Sequence, residues 1–201
     1  MIQSILKGLT RILTGAQIQS KNFSFEPETQ RIYFANHSSH LDTLLLWSLI
    51  PANQRCKVRP AAAKDYWWSS PIRRYLAEKV FHAIPVIRQR EDLNEDPLKE
   101  LDLALKNGES LIFFPEGTRG SGEVIQPFKS GLYHLVFKYP NVDLVPIYIR
   151  NLNRVLPKGE FLPVPIFCTV TFGESFRIGF EENKADFLIR AHKKLEELSK
   201  E

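Results

Sequence analysis

Short apolar runs alternate with helix-type patterns along most of this 201-residue chain, and the alternation strongly limits its possible folds. Strands are expected at residues 32–35, 57–62, 83–87, 111–114, 144–149, 167–172 and 176–178. Helices are expected at residues 41–50, 71–80, 97–106 and 131–139, and from residue 181 onward. Strands that alternate with helices predict a single α/β domain with a central mixed, largely parallel sheet flanked by helices. Ligands of such a sheet bind at the loops that leave the carboxyl ends of its strands.

Composition agrees with one globular domain. Hydrophobic residues make up 43% and charged residues 25% of the chain, which excludes an intrinsically disordered protein. No apolar stretch approaches the roughly 18 residues that a membrane-spanning helix requires, so none is expected. Cys56 and Cys168 lie far apart and outside any CxxC pattern, and no secretory signal is visible. The sequence therefore predicts a reducing, cytosolic setting in which both thiols are buried or inert.

Positive charge favours an anionic partner: nucleic acid, a phospholipid surface or an acidic carrier protein. The net charge is +4, and between residues 50 and 90 nine bases stand against two acids. Residues 1–20 are predicted to form an amphipathic helix, because apolar residues recur at helical spacing up to Leu13 and no acid occurs before Glu26. Such a helix either docks on the core or binds an anionic membrane surface; periodicity does not separate the two, and mainly the later motifs favour the membrane. Residues 21–201 form the predicted globular domain.

The densest polar cluster, residues 36–42, lies where a predicted strand gives way to a predicted helix. On one ideal helix His37 and Asp42 would lie roughly 140° apart, so they meet only if the helix begins between them. Ser39 is a natural N-cap with Asp42 at its N3 position, a capping box that gives Asp42 a purely structural role. The alternative is that the carboxylate also accepts a hydrogen bond from His37, as in a catalytic dyad.

Two other chemistries fit this cluster less well. His37, His40 and Asp42 are potential metal ligands, but the pattern is weak, and no cysteine or further histidine stands near it. We therefore expect no metal. A serine hydrolase is disfavoured because no Gly-x-Ser-x-Gly sequence occurs in the chain. If His37 is catalytic, it must activate a nucleophile that the substrate brings.

A second cluster, residues 114–120, directly follows an apolar run and contains two glycines and an arginine. Glycines allow the backbone to approach a ligand, and the guanidinium of Arg119 offers a planar fork of donors for a phosphate. Thr118 and backbone N–H groups would add neutral hydrogen bonds. The pattern indicates a phosphate-binding loop; the alternative is a plain turn with a surface pair between Glu116 and Arg119.

Together the two clusters, Asn-His-x4-Asp at residues 36–42 and Phe-Pro-Glu-Gly-Thr-Arg at residues 114–119, resemble the glycerolipid acyltransferase family. The resemblance is to the bacterial 1-acylglycerol-3-phosphate acyltransferases in particular. Residues 84–88 and 145–148 are similar to two lesser blocks of the family, and all four blocks occur in the family's order. The combination is specific, whereas each block alone would be weak.

The resemblance implies a glycerol-3-phosphate acyltransferase-like fold and a role for each matching residue. His37 would be the general base and Asp42 would orient it. Arg119 and Arg88 would face the phosphate of the acceptor, and Lys64 is a looser match to a lysine that also approaches it. The expected substrate-binding residues are Glu116, Gly117, Thr118, Arg119, Arg88 and Lys64.

The implied reaction moves a fatty acyl chain from acyl-CoA or acyl carrier protein to the free hydroxyl of a lysophospholipid. Lysophosphatidic acid, giving phosphatidic acid, is the first expectation, and another lyso acceptor such as lyso-ornithine lipid is the alternative. No cofactor is implied. We expect peripheral attachment at the cytoplasmic face of the inner membrane, with residues 66–68 either at the interface or in the core. A noncatalytic lipid-binding protein is a further alternative, while no recognised reader motif supports nucleic acid as a partner.

Overall fold

The structure is a computed structural model that describes residues 8, 10, 14–20, 22–87, 96–155 and 166–200. In this part of the chain seven strands form one sheet in the order β1-β7-β6-β2-β5-β3-β4. All neighbours are parallel except β6 and β7, which confirms the predicted mixed, largely parallel sheet. The strands are β1 Gln17–Ser20, β2 Arg31–Ala35, β3 Val58–Ala63, β4 Ile84–Val86, β5 Ser110–Phe113, β6 Asp143–Arg150 and β7 Thr169–Phe172.

Helices cover both faces of the sheet. They are α1 Asp42–Leu49, α2 Lys64–Trp67, α3 Pro71–Tyr75, α4 Lys99–Lys106, α5 Gly131–Lys138, α6 Leu152–Val155 and α7 Lys184–Ser199. A short 3-10 turn spans Arg55–Lys57, and a π-helical turn, Leu76–Val80, continues α3. The predicted helices at 41–50, 97–106 and 131–139 are therefore confirmed to within two residues at either end.

Two apolar cores result from the alternation of side chains along the central strands. Tyr33 and Ala35 of β2 face the core that contains α1, whereas Ile32 and Phe34 face the core that contains α4, α5 and α7. All five residues of β2 are buried. This strand pairs with β5 on one edge and β6 on the other, and a core packs on each of its faces. These four contacts together fix its position in the domain.

Several predicted elements differ from the observed ones. Residues 17–20, the end of the predicted N-terminal helix, form the parallel edge strand β1 beside β7. Gly8, Thr10 and Thr14 are helical, and the rest of residues 1–13 lies outside the described residues. The predicted strand at 176–178 is reduced to a single antiparallel bridge between Leu144 and Phe176.

The tryptophans at 67 and 68 belong mainly to the core. Trp67 packs edge-on against Phe81 with ring centroids 5.8 Å apart, and the indole N–H of Trp68 donates to Glu78 at 2.9 Å. Both rings are partly buried against the core that contains α1. Among the described residues, no helix combines the length and the apolar character needed to cross a membrane.

The two cysteines, expected to be buried or inert, differ in environment: Cys168 is buried and Cys56 is not, and the reactivity of Cys56 stays a prediction. Cys168 is buried beside β1, and burial, with a smaller effect of the Asp42 charge, raises the pKa of its thiol to about 11. Cys56 is exposed. At about pH 8 we expect a thiol reagent to modify Cys56 alone in the folded protein, because a buried thiol of raised pKa supplies almost no thiolate.

The measurement is the number of modified thiols per chain before and after denaturation, with Cys56→Ser as the control. One thiol in the folded wild type, none in the folded variant and a second on unfolding are the expected results. Rapid modification of two thiols in the folded wild type would contradict the placement of Cys168.

Candidate active site

Both polar clusters of the sequence lie at the same edge of the sheet. β2 and β5 are parallel neighbours, with Phe34 beside Phe113 in register, so the segments that follow them leave the sheet side by side. Residues 36–42 follow β2, and residues 114–120 follow β5. Parallel pairing of two adjacent strands therefore brings together motifs that are about 80 residues apart in sequence.

Asn36 anchors the first cluster to β6. Its side-chain oxygen accepts a hydrogen bond from the backbone N–H of Ile149 at 2.7 Å, and its amide donates to the Ile149 carbonyl at 2.9 Å. The side chain is buried and extends the contact between β2 and β6 beyond the last backbone pair. No separate role was predicted for Asn36. Its position directly after a buried strand is the feature of the sequence that points to such an anchoring role.

His37 and Asp42 form a dyad. The His37 Nδ1 atom lies 2.7 Å from Asp42 Oδ2, and the same oxygen accepts the backbone N–H groups of Ser38 at 2.7 Å and Ser39 at 2.8 Å. The Asp42 side chain has no exposed surface, whereas His37 is partly exposed. A proton on Nδ1 directed at the carboxylate leaves Nε2 as the nitrogen with a free lone pair, which is the arrangement of a general base.

The dyad is possible because α1 begins at Asp42 and not before it. The predicted Ser39 N-cap is wrong: Leu41 precedes the helix, and the Ser39 hydroxyl accepts from the Leu41 N–H at 3.3 Å. The other half of the predicted capping box is present, since the Asp42 carboxylate reaches back to the Ser39 N–H. Asp42 thus combines the structural role with the orientation of His37.

Glu116 ties the two loops together. Its two carboxylate oxygens accept the backbone N–H groups of His37 at 2.6 Å and Gln126 at 2.8 Å. The Gly120 N–H donates to the His37 carbonyl at 2.8 Å, so His37 is held through its backbone on both sides. Burial raises the pKa of the Glu116 carboxyl. This geometry supports a role in holding His37, and direct contact with an acceptor stays a prediction.

Gly117 and Phe114 shape the space beside the imidazole. The Phe114 ring stacks on His37 with centroids 4.4 Å apart and planes 24° apart. Gly117 has φ +70°, and a Cβ there would lie 2.9 Å from the Lys129 side chain. A larger residue would therefore be strained in its backbone, and the flexible end of the Lys129 side chain would have to shift to make room for it.

Arg119 contacts a residue that sequence analysis had considered only as a metal ligand. Its guanidinium donates to His40 Nε2, and the His40 ring stacks on Tyr66 at a centroid distance of 4.5 Å. The pKa of His40 is lowered to about 4, mainly by burial and then by the charges of Arg119, His37 and Arg73. His40 is therefore a neutral acceptor for the arginine.

The remaining predicted site residues lie at the same edge or outside the described chain. Thr118 is exposed on the loop between Gly117 and Arg119. Lys64 is exposed at the start of α2, directly after β3, and lines none of the three cavities that His37 borders. Arg88 lies outside the described residues.

Within the described residues, three cavities border His37, and the smallest, about 10 Å³, is also lined by Glu116. Of the other two, the larger, about 590 Å³, has mainly apolar walls that include Phe113, Leu98 and Leu135, with charged residues such as Asp102 and Lys129 also in its lining. The smaller, about 70 Å³, lies on the side of His40, Tyr66 and Arg119. Both cavities are also lined by His37, Phe114, Ala61 and Ala63. The imidazole thus borders an apolar compartment and a cationic one.

Comparison with known proteins gives consistent matches. The acyltransferase family model matches residues 17–150. A chloroplastic 1-acyl-sn-glycerol-3-phosphate acyltransferase of Brassica napus is 30% identical over 66% of this chain and 36% of its own length. The corresponding enzyme of Limnanthes alba is 28% identical over 84% of this chain and 57% of its own. The human alpha enzyme is 30% identical over 68% of this chain and 46% of its own.

The chain thus spans about a third to just over half of the length of these relatives. The crystal structure of the 1-acyl-sn-glycerophosphate acyltransferase PlsC from Thermotoga maritima superposes with a TM-score of 0.73. The match covers 100% of this chain and 80% of that one, at 19% sequence identity. It confirms the predicted fold.

Replacing Glu116 by Gln tests the tie between the loops. Because burial raises the pKa of Glu116, its ionisation in the folded protein costs stability relative to the unfolded chain. The stabilisation that Glu116 contributes to the folded state is greatest below the ordinary carboxyl pKa. It is lost as the pH rises through the higher pKa that Glu116 has in the folded protein. We expect the unfolding free energy of wild type, minus that of Glu116→Gln, to fall as the pH is raised above the ordinary carboxyl pKa.

Urea unfolding of both proteins over a range of pH values measures the difference. Glu174→Gln, which replaces an exposed carboxylate, is the control and should give a difference that changes little with pH. A difference for Glu116→Gln that stays constant over the range would contradict the role of burial.

Proposed function

Since the chain belongs to the acyltransferase family, we propose that it transfers a fatty acyl group from a thioester donor to the free hydroxyl of a lysophospholipid. The observation that carries the proposal is the 2.7 Å contact between His37 Nδ1 and the fully buried Asp42 carboxylate. A base oriented in this way beside an arginine suits an acceptor that brings both a hydroxyl and an anionic group.

In the proposed mechanism His37 Nε2 takes the proton of the acceptor hydroxyl while the hydroxyl oxygen attacks the carbonyl carbon of the thioester. The tetrahedral intermediate then expels the thiolate, which recovers the proton from the imidazolium. Asp42 stabilises that imidazolium through Nδ1, so the base needs no other partner to hold its charge. The thioester is already activated, and the chemistry requires alignment, proton removal and stabilisation of the oxyanion.

Backbone hydrogen bonds of residues 114–120 limit which N–H groups are free to stabilise the oxyanion. The N–H of Gly117 donates to the Phe114 carbonyl, and the N–H of Gly120 donates to the His37 carbonyl. Within residues 117–120, the backbone N–H groups of Thr118 and Arg119 are therefore the proposed donors.

Lysophosphatidic acid, giving phosphatidic acid, is the proposed acceptor. The relatives are named for 1-acyl-sn-glycerol-3-phosphate, and the shared cavity of Arg119 and His37 supports a contact between this arginine and the acceptor phosphate. Arg88, Lys64 and Thr118 remain proposed contributors to the same site. The apolar walls of the larger cavity suit a fatty acyl chain, from acyl-CoA or acyl carrier protein as donor. Attachment to an anionic membrane surface, at its cytoplasmic face, belongs to the same proposal.

Replacement of His37 by Ala tests the base directly. Removing a general base typically costs about 100- to 10,000-fold in rate, and we expect a loss of this size in kcat/KM. Purified protein, lysophosphatidic acid in mixed micelles and palmitoyl-CoA or palmitoyl carrier protein form the assay, read by mass spectrometry of the lipids. Asp42→Asn should also lose activity, because the amide no longer holds the imidazole in the required tautomer.

His82→Asn is the control, since it replaces an exposed histidine outside the site. It should retain wild-type activity. Equal turnover by wild type and His37→Ala would refute the proposed base. If wild type is inactive with both donors, lyso-ornithine lipid and other lyso acceptors are tested next, and failure with all of them would refute the enzymatic function.

A further inference from the structure

Two guanidinium groups approach the ring of Tyr66 beside the smaller cavity. The Cζ atom of Arg73, from α3, lies 4.4 Å from the ring centroid, and that of Arg119 lies 5.8 Å from it. The ring also carries the stacked imidazole of His40. Two cations thus lie around one aromatic side chain, and Tyr66 and Arg119 line the small cavity that also contains His37.

Neither arginine is neutralised within the described chain. Arg73 donates to the Ser69 hydroxyl at 3.2 Å and Arg119 donates to His40, and neither forms an ion pair with a carboxylate in this part of the chain. The neighbouring Arg74 behaves differently, because it pairs with Glu78 at 2.8 Å. Arg73 and Arg119 are both exposed, so a ligand can reach them.

The electrostatics of the cluster favour an added anion. The charges of Arg119, His37 and Arg73 all lower the pKa of His40, and the charge of Asp42, with the smallest effect of the four, raises it. Like charges held close together repel, and an anion placed between them relieves that repulsion. Neutral His40 accepts from Arg119 and so fixes the direction of its guanidinium without cancelling its charge.

We propose that Arg73 is a second cation of the acceptor site and binds the phosphate together with Arg119, with Tyr66 as platform and His40 as orienting acceptor. The inference rests on the proposed function. Arg73 and Tyr66 lie outside the motifs that carry the family resemblance, and His40 occupies an unspecified position of the first one. Two guanidinium groups match the double charge of a phosphate monoester better than the single charge of a phosphodiester, so the pair would also favour monoester acceptors.

The acceptor is a better source of the phosphate than the donor. In a 1-acylglycerol 3-phosphate the phosphate is attached to the carbon next to the one that bears the free hydroxyl. When that hydroxyl lies at His37, the phosphate must therefore lie close to His37 as well. In coenzyme A the pantetheine arm separates the phosphates from the thioester. Tyr66, His40 and Arg119 line the small cavity together with His37, and Arg73 packs against the Tyr66 ring beside it, which fits the shorter separation.

Comparison of Arg73→Ala with Arg74→Ala tests the inference by kinetics. The two variants remove the same charge from adjacent positions of α3, and only the first alters the cluster. A charge-assisted contact to phosphate is worth enough to change affinity by about tenfold or more. We expect Arg73→Ala to raise KM for lysophosphatidic acid by about that factor, with kcat and the KM for palmitoyl-CoA nearly unchanged. Arg73→Lys should recover part of the loss.

Arg74→Ala should stay within about twofold of wild type, since a surface charge already paired with Glu78 contributes little. Equal effects in the two variants would show a general charge effect and overturn the inference. A rise in KM for palmitoyl-CoA, but not for the acceptor, would reassign the phosphate to the donor and overturn it as well.

A binding measurement separates this inference from the proposed function. Titration of the His40 ring by NMR, with and without glycerol 3-phosphate, reports the local charge without any turnover. Groups that face His40 are Arg119, His37, Asp42, Arg73 and Tyr66. We expect the phosphate to raise the pKa of His40 from its low value of about 4, because the anion offsets the arginine charges.

In Arg73→Ala the pKa of His40 should already be higher without ligand, and glycerol 3-phosphate should raise it less. An unchanged His40 pKa in wild type with saturating glycerol 3-phosphate would overturn the inference. If wild type turns over no acceptor, the proposed function fails by itself, and this titration alone decides whether the two-arginine site exists.

Discussion

Parallel pairing of β2 with β5 on one side and β6 on the other positions the two motif loops of the candidate site. β2 is buried along its whole length, so its register is set by both neighbours and by the two apolar cores. A shift by one residue would exchange the sets that face the two cores, which buried strands do not tolerate. Because the register is fixed, the loops after β2 and β5 leave the sheet together, and Asn36 meets Ile149 of β6.

Buried polar groups then make the loops rigid. Asn36, Asp42 and Glu116 are all buried, and their side chains bond backbone groups of His37, Ser38, Ser39, Gln126 and Ile149. A buried polar group is costly when it lacks a partner, so each of these bonds favours one loop conformation over its alternatives. His37 is consequently held at its backbone by Glu116 and Gly120 and at its ring by Asp42, before any substrate arrives.

The imidazole lies at the boundary between two chemically different spaces. On one side the larger cavity is walled mainly by apolar residues, and on the other Arg119, His40 and Tyr66 line a small cationic one. Phe114 stacks on His37 and lines both. A lysophospholipid has an apolar chain and a charged end, and a fatty thioester has an apolar chain and a reacting end. These two kinds of group match the apolar and the cationic space on either side of His37. The proposed reaction thus follows from the placement of one base between these spaces, as preorganised sites require.

The sequence by itself determined the fold class, most of the strands and helices, and the motifs at 36–42 and 114–119. These properties depend on local periodicity and on residue types at short spacing, which a single chain displays directly. It also required that α1 begin between His37 and Asp42 for them to meet, and the helix does begin at Asp42. It did not separate a helix from the edge strand at 17–20, whose pairing partner, β7, lies about 150 residues away.

Tertiary structure alone decided how the site is held and charged. The hydrogen bonds of Asn36 to Ile149 and of Glu116 to His37 join residues that are 113 and 79 positions apart. No local sequence pattern predicts contacts at such separations. The meeting of Arg73, Tyr66, His40 and Arg119 depends likewise on three segments that converge at one edge of the sheet. Burial, which raises the pKa of Glu116 and lowers that of His40, exists only once the chain has folded around these groups.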